Sequence, residues 1–226
     1  MAVRTKDKIL LTSLRLFNEK GERSVTTNHI AAALEMSPGN LYYHFRNKGE
    51  IIHQLFQQFE NKVGGYMAKA SGDFSTYSYR IKHLEGMLKI TWAYRFLQRD
   101  VIQMLQENDD LKLTYRQFTI KTLKASKFIE QTLVKNGLLQ MDEEQLNALV
   151  LNIWMILSWC PILPSISVRG TEKDVGKGFL MRAIYQIVCL EEPYASPDVK
   201  AQLPFIKKKY LNENAHDLIA GLLIDH

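Results

Sequence analysis

Cysteine is scarce in this sequence. Only Cys160 and Cys189 are present, with no CxxC pair and no histidine at ligand spacing. Neither a disulfide framework nor a zinc site is indicated, and a reducing compartment, the cytoplasm, is expected. HExxH, GxSxG and a full GxxxxGK[ST] loop are missing, and Gly176-Lys177-Gly178 is too short to cradle a phosphate. With no catalytic constellation, no enzyme, cofactor or metal is expected; an enzyme with a regulatory head is motivated by chain length alone. The N-terminus lacks the uniform apolar stretch of a signal peptide, since Asp7 and helix-like spacing interrupt it. No apolar run is long enough to span a membrane, which takes about 20 residues. The strongest, Ala148 to Pro164, contains Asn152 and Ser158 and is broken by Pro161 and Pro164, so it reads as a helix buried by other helices.

Alternating β-branched runs and internal repeats are missing as well, whereas helical periodicity runs throughout. With 226 residues, 46% of them apolar, the chain can bury a core without staples. The net charge of +5 suits a polyanionic partner without requiring one. The expected fold is all-α: a three-helix head over 1–46 and a larger helical body over 47–226, about nine to ten helices in all. The first helix is predicted over Thr5 to Lys20, with Gly21 as a left-handed C-cap. A second starts at Thr26, whose hydroxyl caps it. Ser37-Pro38 supplies N-cap and first-turn proline for a third, Pro38 to Phe45. Asn47 and Glu50 predict a capping box for a fourth, weakened at Gly64-Gly65. Further helices are expected near 76–107, 110–136, 143–160, 172–191 and 198–213, with a terminal one near 216–224.

On a wheel of the third helix, Leu41, Tyr42 and Phe45 fall on one side and Gly39, Asn40, Tyr43 and His44 on the other. That division suits a recognition helix, with apolar anchors beneath and a small, polar face for the major groove. Asn40 offers donor and acceptor to a base edge, and Tyr43 a ring for a thymine methyl. The stretch TTNHIAAALEMSPGNLYYHFRNKGEII, with Phe17 and Gly21 upstream, resembles the signature of the tetracycline-repressor (TetR/AcrR) family. The resemblance implies a double-stranded DNA operator. It implies phosphate contacts from Thr26, Thr27, Ser37, Tyr42, His44 and Lys48, and base reading by Pro38, Gly39, Asn40 and Tyr43. One departure is Glu35, where the family usually has glycine; the backbone there must adopt an uncommon conformation or shift the turn.

A single small head reads few base pairs, so a homodimer on a palindromic operator is expected. The helices at 143–160 and 172–191 are the candidates for the interface, through Leu149, Ile153, Ile156, Val175, Phe179, Ala183 and Ile187. The resemblance further implies a ligand pocket in the body, to which Arg80, His83, Arg95, Tyr115, Phe118, Thr119, Thr122, Asn152 and Trp154 are possible contributors. The leading expectation is a repressor released by a small-molecule effector. The alternative is a DNA-binding regulator without such a pocket, controlled by a protein partner or acting constitutively.

Overall fold

Residues 4–70, 74–160, 162 and 172–211 are described by the computed structural model, and their regular elements are eleven α-helices and one short 3-10 turn. The contacts divide the chain into two compact units, residues 1–63 with 94–118 and residues 64–93 with 119–226. The first reaches past the expected boundary at 46, because the start of the fourth helix and the segment 94–118 share its core.

In the first unit, α1 (Thr5–Lys20) buries Ile9, Leu10, Leu16 and Phe17. It stops at Gly21, whose N–H returns to the Phe17 carbonyl at 3.1 Å. The glycine has φ 86° and ψ 145°. The expected positive φ is present, but the extended ψ sends the chain away from the helix axis instead of closing a left-handed cap. α2 (Thr27–Ala33) and α3 (Pro38–His44) follow, and Phe45 is already extended at φ −143°, one residue short of the expected helix end. α4 (Lys48–Ala70) opens with Asn47 Oδ1 accepting the Glu50 N–H at 2.9 Å. Glu50 Oε2 takes the N–H of Arg46, at 2.8 Å, so the capping box is displaced by one residue. Contrary to expectation, Gly64-Gly65 does not interrupt α4. Both glycines are exposed, while Val63 and Met67 hold the opposite face in the core.

The helix expected over 76–107 is three: α5 (Tyr77–Ala93), α6 (Phe96–Arg99) and α7 (Val101–Glu107). This raises the helix number above the nine to ten expected. The interruption has a tertiary cause, since Asn18 Oδ1 captures the Phe96 N–H at 3.1 Å and the Phe96 ring lies 5.2 Å from that of Phe17. Propensity within 94–100 carries no sign of it. α8 (Asp109–Lys135) brings Tyr115 and Phe118 against Phe56 and Phe59 in an aromatic cluster of the first unit.

In the second unit, α8 closes at Gly137, φ 72°, with Leu138 N–H bonded to the Leu133 carbonyl at 2.9 Å. α9 (Glu143–Trp159) starts from a reciprocal capping box between Asp142 and Gln145. α10 (Glu172–Glu191) packs against α5, α9 and α11 (Pro197–Tyr210), with a 3-10 turn at Glu192–Tyr194 between α10 and α11. An isolated antiparallel bridge, Leu139 to Ala195, ties the two inter-helix segments. Tyr66 of α4 crosses α5 at Gly86, where a Cβ would stand 1.9 Å from its hydroxyl oxygen. The helix expected at 216–224 lies outside the described residues.

Candidate nucleic-acid interface

Helices of seven residues do not persist alone in water, so α2 and α3 depend on their caps and on packing. Thr26 Oγ1 accepts the His29 N–H, and His29 Nδ1 accepts the Thr26 N–H, each at 3.3 Å. An imidazole thus fills the place that glutamate or glutamine usually takes in a capping box. Ser37 Oγ accepts the Asn40 N–H at 3.2 Å, and Pro38 sits where a missing N–H costs nothing. Between the helices, the Ala31 carbonyl accepts from Leu34 and Met36, and the Ala32 carbonyl from Glu35. Glu35 has φ 53° and is the one non-glycine residue with positive φ among the described residues. The turn therefore keeps its left-handed step and carries it on a glutamate.

The faces of α3 are sharply divided. Leu41 and Phe45 are 0% and 1% exposed, whereas Tyr43 is 85% exposed. Pro38, Gly39 and Asn40 share the open side. A Cβ on Gly39 would meet nothing closer than Ser37 Oγ at 4.0 Å, so the chain's own packing does not require glycine there; a closely approaching partner would. Tyr42 corrects the expectation of an inward anchor. It is 47% exposed, and its hydroxyl lies 3.0 Å from Thr27 Oγ1, joining the start of α2 to α3. His44 is half-buried, its ring edge-on to Tyr43 at 5.2 Å. Lys48 has a partner within the chain. Its ammonium is 2.6 Å from the buried Glu22 carboxylate and donates to the Glu22 carbonyl at 3.1 Å.

The model of bacterial regulatory proteins of the tetR family matches residues 9–55, and that of the TetR bacterial transcriptional repressors matches residues 58–203, more than half the chain. The chain belongs to the TetR family. A TetR-family regulator from Marinobacter aquaeolei, known from its crystal structure, is 38% identical, covers 92% of this chain and 99% of its own, and superimposes with a TM-score of 0.82. YttP of Bacillus subtilis, described as a probable HTH-type transcriptional regulator, is 25% identical over 61% of this chain and 66% of its own length. QacR of Staphylococcus aureus, an HTH-type transcriptional regulator, is 32% identical over 45% of this chain and 54% of its own. The chain thus spans less than two thirds of either curated relative. This TetR-family chain is a transcriptional regulator with a helix-turn-helix DNA-binding element.

The body residues singled out in this regulator are divided between the two units. Arg95, Tyr115 and Phe118 belong to the first unit, and the other six to the second. Tyr115 and Phe118 serve the aromatic core. Arg80 is buried and consumed: its Nη2 meets Glu130 Oε1 at 2.6 Å and Glu191 Oε1 at 2.8 Å, and its Nε donates to the same Glu191 oxygen at 3.0 Å. Tyr77 donates to the other Glu191 oxygen at 2.6 Å. Burial pushes the Glu130 carboxyl up to about 8 against the pull of Arg80, and its Oε2 has no protein partner. His83 stacks on Tyr66 at 5.1 Å, and burial beside Arg80 lowers it to about 3, leaving a neutral ring whose Nδ1 has no hydrogen-bond partner. Thr122 donates to the Thr119 carbonyl at 3.0 Å, and Asn152 and Trp154 are half-buried on α9.

Of the expected dimer residues, Leu149, Ile153, Ala183 and Ile187 are buried in the chain's own core and Ile156 is half-buried. The side chains of Val175 and Phe179 lie outside the described residues. An apolar stripe does face outward on α9, at Leu151, Met155 and Trp159. A helix apolar on nearly every face gives no wheel from which to choose its outer side, so the sequence alone does not separate the buried residues of α9 from the exposed ones. Sequence reasoning missed Glu22, Arg99, Asp100, Glu130 and Glu191 too. The last two carried a usable signal, as carboxylates close to the buried Ile129 and Val188 on amphipathic helices.

Proposed function

We propose that this regulator is a cytoplasmic homodimer that represses from a palindromic operator and leaves it when a small-molecule effector binds the body. The observation that carries the DNA reading is the division of α3, with Leu41 and Phe45 beneath and Gly39, Asn40 and Tyr43 open above. Pro38, Gly39, Asn40 and Tyr43 enter the major groove, while Thr26, Thr27, Ser37, Tyr42 and His44 hold phosphates on either side. The second copy adds the other half-site, and the outward stripe Leu151, Met155 and Trp159 supports pairing through α9. Support for an effector is narrower: Glu130 Oε2 and His83 Nδ1 are buried polar atoms without a protein partner, which the polar groups of a ligand would satisfy. Effector and operator then weaken each other's binding by the same factor.

Selection from a random duplex pool with the wild-type dimer defines the operator. Asn40→Ala and Tyr43→Ala are each expected to lose about 1–3 kcal/mol of discrimination at one position of each half-site, measured by competition with point-substituted duplexes. Unchanged preference in both variants would move base reading away from α3.

A further inference from the structure

We infer that Arg99 and Asp100, through Glu22 and Lys48, position the helix-turn-helix for DNA, and that Lys48 serves binding by holding Glu22 rather than by contacting a phosphate. The inference rests on the DNA reading above and concerns the first unit alone.

The segment from Phe96 to Asp100 grips the end of α1 and the loop that leads into α2. Arg99 donates through Nη2 to the Phe17 carbonyl at 2.5 Å and through Nη1 to the Asn18 carbonyl at 3.1 Å. Those carbonyls belong to the last turn of a helix, where the negative end of the dipole favours a guanidinium. Asp100 pairs with Arg99 at 3.2 Å and accepts the Glu22 N–H at 2.9 Å. Asn18 returns a bond to the Phe96 N–H. Glu22 is 2% exposed, and Lys48 from the start of α4 is engaged by both its carboxylate and its carbonyl. Three residues later Val25 enters the core and Thr26 caps α2. The register of the helix-turn-helix is therefore set by groups of α4 and α6 that never face a base.

For Lys48, the competition is between a buried carboxylate and a solvated phosphate. A buried carboxylate stripped of its partner is strongly destabilising, whereas one phosphate contact among many is worth much less. Lys48 thus stays with Glu22 when DNA arrives.

The test uses the full-length protein, the selected duplex, and a random-sequence duplex as the non-specific control. Arg99→Gln and the milder Asp100→Asn are expected to weaken the selected duplex about tenfold or more, with affinity for random duplex and the salt slope unchanged. A lowered melting temperature with unchanged Kd for the folded fraction would make the contacts merely structural and overturn the inference. Equal losses on both duplexes with a salt slope reduced by about one would make Arg99 a phosphate contact and overturn it as well. Glu22→Gln with Lys48→Gln removes both charges together. A retained salt slope with specific affinity weakened as in Arg99→Gln is expected in this double variant; unchanged specific affinity would show that the pair positions nothing, and a slope lower by about one would return Lys48 to the phosphate. If selection enriches no sequence, the reading of α3 fails first and this inference falls with it.

Discussion

Glu35 shows how a single residue can carry a conformation that its side chain disfavours. A left-handed backbone costs an L-residue roughly 1–2 kcal/mol, partly offset in glycine by the entropy that glycine loses on folding. Glu35 is held there by the hydrogen bonds of Leu34, Glu35 and Met36 to Ala31 and Ala32. Glu35→Gly is expected to stabilise the regulator by about 0.5–1 kcal/mol in urea unfolding, and Glu35→Ala to give no gain, since alanine keeps the Cβ. A gain in the alanine variant equal to that in glycine would locate the cost in the carboxylate. The departure was visible in the sequence, because the resemblance to the family implies glycine at this turn position. Lys48 was visible as well, but its partner was not. Glu22 stands 26 positions away, and only packing brings the two charges together.

At the scale of elements, α5, α8 and α10 are joined by the buried cluster of Tyr77, Arg80, Glu130 and Glu191, with His83 alongside Arg80. Two carboxyls share one guanidinium, and burial raises Glu130 from 4.5 to about 8. A carboxyl with a raised folded-state pKa contributes stability that is complete below its unfolded value and is lost as pH rises through the folded one. Wild type measured against Glu130→Gln should therefore lose relative stability between pH 4.5 and about 8. The slope is at most about 1.4 kcal/mol per pH unit, read from urea midpoints across that range. A flat difference would mean that Glu130 stays ionised in both states. His83 has the opposite sign: lowered from 6.5 to about 3, it costs stability as pH falls through that window. The division of 76–107 into α5, α6 and α7 belongs to this scale too, because Asn18 and Phe17 of α1 decide where the helix stops.

For the whole molecule, the decisive matter is how many heads address the operator. The outward stripe of α9 offers Leu151, Met155 and Trp159 at a spacing of four residues. Met155→Asp places a charge in its middle without touching the chain's own core, and is expected to give monomers in sedimentation velocity. Operator affinity should fall by about 10²-fold or more once two half-sites can no longer be engaged together. A dimer that survives this substitution would place the subunit contact elsewhere. Among the described residues no helix is long and apolar enough to cross a membrane.

The sequence by itself determined where most helices begin and end, and which side of α3 is greasy. Both follow from interactions within a few residues: caps at Thr26, Ser37 and Asp142, and the periodicity of Leu41 and Phe45. Tertiary structure alone decided that Arg80 is spent on two carboxyl groups, that Leu149 and Ile153 face inward, and that a loop-leading glutamate holds Lys48. Each of those outcomes depends on groups far apart in the chain, whose pairing is set by the balance of burial against lost hydration after the helices have packed.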